Sequence, residues 1–232
     1  MSDFLTVLWK EAAEFVGNRR SLRVFAIAVL FMGILPDIQG TKANSATLVL
    51  IRVIYVALAA VIVVAQTAPN LVIHEREGHT LETLLATRLP DRAIFAGKVA
   101  AAVAYGYGAA MLTMAIQLIV DGVIRGSWSW SYLAAPIGRW FVFGVPVVLA
   151  AYLATVGTFV ALRIGDQRSA YLVTMLSLAV IALPFVLGLV TLQASVAWVE
   201  QALFTLAVVD ALLAAIGVRL FNRERLILYQ QE

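Results

Sequence analysis

Side chains able to do chemistry are sparse in this chain, and a dense group of them, with both histidines, lies in residues 70–98. His74 and Glu75, followed by His79, approach the H-E-x-x-H pattern of zinc proteases. That pattern needs its histidines four apart, on one helix face, so that both reach the metal. Here they are five apart with Gly78 between them, and the chain holds 2 histidines in all. No metal site is expected. With both histidines in this stretch there is no plausible serine–histidine pair, and no two carboxylates stand at hydrolase spacing. Cysteine is absent, which excludes disulfides, thiolate catalysis and cysteine-bound zinc. The sequence therefore predicts a chain that is not itself an enzyme.

The other polar residues of interest lie inside apolar runs. Asp210 falls well within the last of them. A carboxylate in lipid is costly and is by default a functional candidate: it could bind a cation, carry a proton or pair with a basic side chain. A polar contact between helices is the plainer reading. Arg52, near the end of the second run, is expected to snorkel to the interface. Asp121, at the end of the third, is expected to be solvated. Gln66 and Gln117 are expected to hydrogen-bond between helices.

The elements that must position these residues are read from composition and pattern. Of the 232 residues, 62% are hydrophobic and 13% charged, with a mean hydropathy of +0.92. Soluble domains carry about 25% charged residues, and a water-facing shell could not be built from so few. Six apolar runs, at about 22–39, 47–72, 95–120, 139–162, 170–191 and 197–219, each approach the ~20 residues that cross a bilayer. The first is cut short by Pro36 and Asp37. Residues 3–17 read as an amphipathic helix lying in the interface plane. The expected fold is all-α, a single transmembrane domain over 1–232. Acidic residues within the first twenty argue against a cleaved signal peptide.

All but four of the 17 lysines and arginines fall on one side if both termini are cytoplasmic, which sets that orientation. Their short clusters suit a membrane surface rather than nucleic acid. Trp128, Trp130, Tyr132, Trp140 and Trp198 then gather at the outer interface. Ala96, Ala100, Ala104 and Gly108 make a ridge of small residues on the third run. It allows close helix packing within the chain, or between two copies.

Between the second and third runs, Gly78 and Thr80 break and restart a helix, with Thr80 as N-cap. Leu81, Leu84, Leu85 and Leu89 share one face, and Pro90 ends the segment. Glu75, Arg76, Glu77 and Glu82 supply a charged side toward water or a partner protein. A rigid helix clamped between two spans lets a partner tilt both as one body. A membrane-surface loop is the alternative.

This stretch resembles the ABC type-2 permease family. Its members read approximately E-R-E-x-G-T-L-E-x-L-L-x-T-P, then about nine residues, then G-K. Glu75, Arg76, Glu77, Thr80, Leu81, Glu82, Leu84, Leu85, Thr87, Gly97 and Lys98 match. His79 takes the usual glycine place and Arg88 the usual proline place, with Gly78 and Pro90 displaced. The resemblance implies that residues 75–89 form a coupling helix docking on a cytoplasmic ATP-binding subunit. ATP and Mg would be bound there, since this chain has no phosphate-binding G-x-x-x-x-G-K-[ST] motif. It implies a secondary contact through Arg163, Asp166 and Arg168. A second permease copy or a related permease would complete the pathway, and export across the cell membrane is the implied direction. The short outer connection at about 192–198 leaves little room for re-entrant helices. Two other readings are a proton-driven secondary transporter using Asp210 and a non-transporting membrane scaffold. The apolar spans favour a hydrophobic or amphipathic cargo.

Overall fold

A computed structural model describes residues 2–39, 45–78, 90–126, 133, 136–191 and 196–220. Among them every long element is helical. In chain order they are α1 (Ser2–Gly17), α2 (Arg19–Gln39), α3 (Ser45–Glu77), α4 (Asp91–Arg125), α5 (Pro136–Arg139), a π-helical stretch (Trp140–Gly144), α6 (Val145–Arg163), α7 (Gln167–Thr191) and α8 (Val196–Leu220). Among the described residues five helices are long and apolar enough to cross a membrane: α2, α3, α4, α8 and the helix running from Trp140 to Arg163. In α7 the apolar stretch with described side chains is shorter, Gln167–Ile181. The chain is thus an all-α, membrane-like protein.

α3 is the central helix, touching α2, α4, α6 and α7. Its Val61, Val64 and Ala68 pack with Ala102 of α4 and Ala150 and Leu153 of α6. Small residues set the spacing. A Cβ on Gly106 would lie 2.1 Å from Val64 Cγ2, and one on Gly157 would lie 3.1 Å from the Ala68 Cβ. The close-packed face of α4 is therefore Ala102, Gly106, Ala109 and Ala110, all buried. The ridge expected from sequence lies beside it: Ala104 is exposed and a side chain on Gly108 would meet nothing within 4 Å. α8 leans mainly on α6 and leaves Phe204 and Leu212 in the open.

Prolines shape the helices in ways that can be traced bond by bond. Pro36 does not end α2, which continues to Gln39. Pro36 has no N–H to give the carbonyl of Met32 one turn back. Gln117 Nε2 of α4 donates to that carbonyl instead, at 3.3 Å. Pro146 poses the same problem for Val142. There the helix widens just upstream, with the Val145 N–H reaching back to Trp140 O, five residues away. A π-turn of this kind is how a helix absorbs a lost rung. Gly126, at φ 65°, closes α4 in the left-handed conformation and donates its N–H to Gly122 O.

α1 follows α4 rather than touching it at one point: Val7 packs on Gly97, and Phe15 stacks on Tyr105 with ring centroids 4.1 Å apart. Its buried face holds Val7 and Glu11, while Leu5, Trp9 and Val16 form an exposed apolar stripe. Spacing of four and seven residues puts those three on one side of the helix. A two-sided helix of this kind, one face on protein and one face apolar and open, suits a membrane interface.

Candidate functional site

Glu75, Arg76, Gly97 and Lys98, four of the residues that the sequence singles out, stand at one end of the bundle, where α3 ends and α4 begins. α3 runs without a break through Glu75 and Arg76 to Glu77, and Gly78 caps it by donating to His74 O at 3.0 Å. α4 begins after Pro90, whose extended backbone (ψ 141°) stands as its N-cap. Thr80, Leu81, Glu82, Leu84 and Leu85, and the helix expected at 81–88, lie outside the described residues.

Glu75 does not face water. It is 3% exposed and belongs to an ionic junction of α1, α3 and α4. Lys98 Nζ of α4 lies 2.8 Å from Glu75 Oε2 and 2.8 Å from Glu11 Oε1, and donates to Leu71 O at 2.7 Å. Lys10 pairs with Glu75 from the rim and lies 3.4 Å from Glu14. Lys98 and Gly97 match the resemblance as the terminal G-K, and the structure gives each a job. Gly97 admits α1, since a Cβ there would lie 2.6 Å from Val7 Cγ1. Lys98 joins the two helix ends that flank the connection.

The electrostatics follow from burial. Burial pushes the Glu11 carboxyl above the usual carboxylate range, against the opposing pull of Lys98. Burial also disfavours the Lys10 charge, but the hydrogen bond and charge of Glu75, with Glu11 and Glu14 behind it, hold its pKa above the ordinary lysine value. Glu11, Glu14 and Glu75 stand close enough to share a cation. Lys10 and Lys98 already supply positive charge at that point.

The α6–α7 turn sits beside this junction. A Cβ on Gly165 would lie 3.6 Å from Arg76 Nη1. Val72 and Ile73 of α3 pack on Ala161 and Ala170. The fold thus brings the described start of the 75–89 stretch beside the α6–α7 turn. Asp166 caps α7, accepting from the Ser169 N–H at 2.8 Å and the Ser169 hydroxyl at 2.7 Å. Those bonds hold its carboxyl below the usual aspartate range. Arg168 is exposed, and Arg163 lies over the Phe159 ring at 5.0 Å. His74 is exposed at the end of α3.

Two expectations about charged residues in the spans fail. Arg52 does not snorkel and Asp121 is not solvated; both are buried, at 2% and 1% exposure. Arg52 joins Asp37 of α2 to Asp121 of α4, the latter at 2.5 Å. Gln117 Nε2 donates to Arg52 O at 3.2 Å, so Gln117 does bridge helices as expected. A charge goes inside when it meets opposite charge there. Position along a span does not reveal such a partner. Asp210 is half-buried on the side of α8 toward α6, where it accepts a hydrogen bond from Thr155. Its Oδ1 has no partner among the described residues. Of the expected outer aromatics, Trp140 donates to Glu200 Oε1 at 2.9 Å, while Trp128, Trp130 and Tyr132 lie outside the described residues.

Near the junction, α1, α2 and α3 enclose a cleft of about 580 Å³ that also reaches Gln167 of α7. No known family model matches the chain, and no curated protein matches it.

Proposed function

We propose that this chain is the membrane-spanning permease subunit of an ABC exporter, working as a dimer and driven by ATP hydrolysis on a separate cytoplasmic subunit. In this reading α7 is the sixth span, both termini are cytoplasmic, and residues 75–89 carry the coupling helix. The observation that carries the proposal is the junction at Lys98. Glu75 and Lys98 stand on either side of the coupling segment, and each is buried against the other. A partner that moves the segment therefore moves the ends of α3 and α4 together, with α1 attached through Glu11. The neighbouring α6–α7 turn gives the same partner a second foothold.

The test is purification of the tagged chain from its native membrane, with identification of co-purifying subunits and an ATPase assay. An ATP-binding subunit in near-equal amount, with transport lost in Glu82→Arg or Leu85→Arg, is the expected result. Full transport by these variants in a normally formed complex would remove the coupling-helix reading.

The buried Oδ1 of Asp210, without a partner among the described residues, favours one second reading, a proton-driven transporter in which Asp210 carries the proton. It requires transport without ATP and its loss in Asp210→Asn.

A further inference from the structure

The cleft between α1, α2 and α3 has a lining that selects for one kind of guest. Its volume, about 580 Å³, lies within the range of about 300–1,000 Å³ typical of small-molecule sites. Phe15 and Phe25 form one wall, edge to face with centroids 5.7 Å apart. Glu14 and Glu75 lie at its charged end, Glu75 already held by Lys10 and Lys98 from behind, and no lysine or arginine lines the cleft among the described residues. The Glu14 side chain is 48% exposed and pairs with Lys10 at 3.4 Å. From α3 the cleft receives Gln66 and Asn70, one turn apart. Among the described residues neither side chain has a hydrogen-bond partner. Gln66 sits about three turns inside the end of α3. An amide at that depth, half-buried and without a partner among the described residues, is a group placed to receive something polar.

We propose that this cleft binds the ammonium head of a cationic amphiphile, with the apolar tail lying along Val24 and Val63 toward the bilayer. An aromatic ring beside a carboxylate is an arrangement that recognises alkylammonium ions; with Phe15 stacked on Tyr105, Phe25 is the ring assigned to that role. The half-exposed carboxylate of Glu14, balanced from the rim by Lys10, faces the nitrogen, and the amides of Gln66 and Asn70, without a partner among the described residues, turn toward its substituents. Both Val24 and Val63 line the same cleft. The inference names the cargo class of the proposed exporter and rests on that reading for its meaning in transport. Binding itself does not need the partner subunit.

The experiment is equilibrium binding of radiolabelled tetrabutylammonium to the full chain in dodecylmaltoside, read by scintillation proximity. Saturable binding is expected, displaced by octyltrimethylammonium and not by octyl sulfate. Phe25→Leu is expected to weaken it about threefold to tenfold, and Glu14→Gln about tenfold, while Glu14→Asp retains it. Gln66→Leu tests the amide in a variant that leaves the ionic junction intact. Variants are compared at matched elution volume and thermal midpoint, so misfolding is seen separately. Absence of saturable binding overturns the proposal. So does equal displacement by octyl sulfate, or undiminished binding in the Glu14→Gln, Gln66→Leu double variant. Capture of the ATP-binding subunit is measured on the same samples. Capture without ammonium binding removes the cargo class and leaves the permease; ammonium binding without capture does the reverse.

Discussion

At the scale of single residues, Lys98 has the largest predicted effect. It touches Glu11, Glu75 and the α3 backbone together. Removing one partner of a buried ion pair costs about 3–5 kcal/mol, because the remaining charge stays buried without compensation. Lys98→Met is therefore expected to lower unfolding stability by about that much and to raise deuterium exchange across α1. Lys98→Met combined with Glu11→Gln should recover part of the loss; no recovery would mean that Lys98 acts through packing alone. The pH dependence has a definite sign. Lys10 and Glu11 both have pKa values raised in the folded chain. Each contribution is thus full below its unfolded value and fades as pH rises through the raised folded value. A spin label at exposed Ala13 should stay immobile on mild acidification and loosen on strong alkalinisation. The reverse order would show that the carboxylates, not the lysines, limit the docking of α1.

At the scale of elements, glycine contacts decide how closely helices approach. Gly97 and Gly106 each sit where a Cβ would overlap a neighbouring valine. Forcing a larger side chain into such a contact costs about 1–3 kcal/mol or displaces the helix. Gly106→Val should lower the thermal midpoint of the whole bundle, since it drives α4 from α3. Gly97→Val should instead free α1 while leaving the bundle folded, a difference that limited proteolysis of α1 would register. If Gly97→Val unfolds everything, α1 is part of the core rather than an attachment.

The helices themselves were legible. The apolar runs near 47–72, 95–120, 170–191 and 197–219 all fall inside observed helices, as does the amphipathic stretch at 3–17. Apolar periodicity and length are local properties, and a sequence displays them directly. The charged residues were not legible in the same way. Arg52, Asp37 and Asp121 are far apart in sequence, and nothing local in any of the three reports the other two. Pro36 and Asp37 read as a terminator because their compensations, Gln117 and Arg52, come from other helices. The motif located Gly97 and Lys98 without saying what either touches. The small-residue ridge on α4 was placed on the neighbouring face because alanine is common all around that helix, so spacing alone did not fix which stripe packs.

At the scale of the whole molecule, the Arg52 cluster and the Lys98 junction lie toward opposite ends of the same helix pair, α3 and α4. The packed core of α3, α4 and α6 lies between them. Arg52→Leu should destabilise by about 3–5 kcal/mol, and Arg52→Leu with Asp37→Asn and Asp121→Asn should recover much of it. Thermal unfolding of the two variants in one detergent tests this. Equal instability would mean that Arg52 is held by its stem rather than by its charge.

One consequence follows from helix length alone. α3 has 33 residues and α4 has 35, which at 1.5 Å per residue makes each about 50 Å long. A hydrocarbon core is about 30 Å thick, so some 20 Å of each helix must lean or stand proud of it. In the proposed membrane-spanning arrangement, the surplus beside α1, which packs along α4, would act as a freeboard: hydrophobic mismatch with a thicker or thinner bilayer would be taken up there, without prising the helices apart.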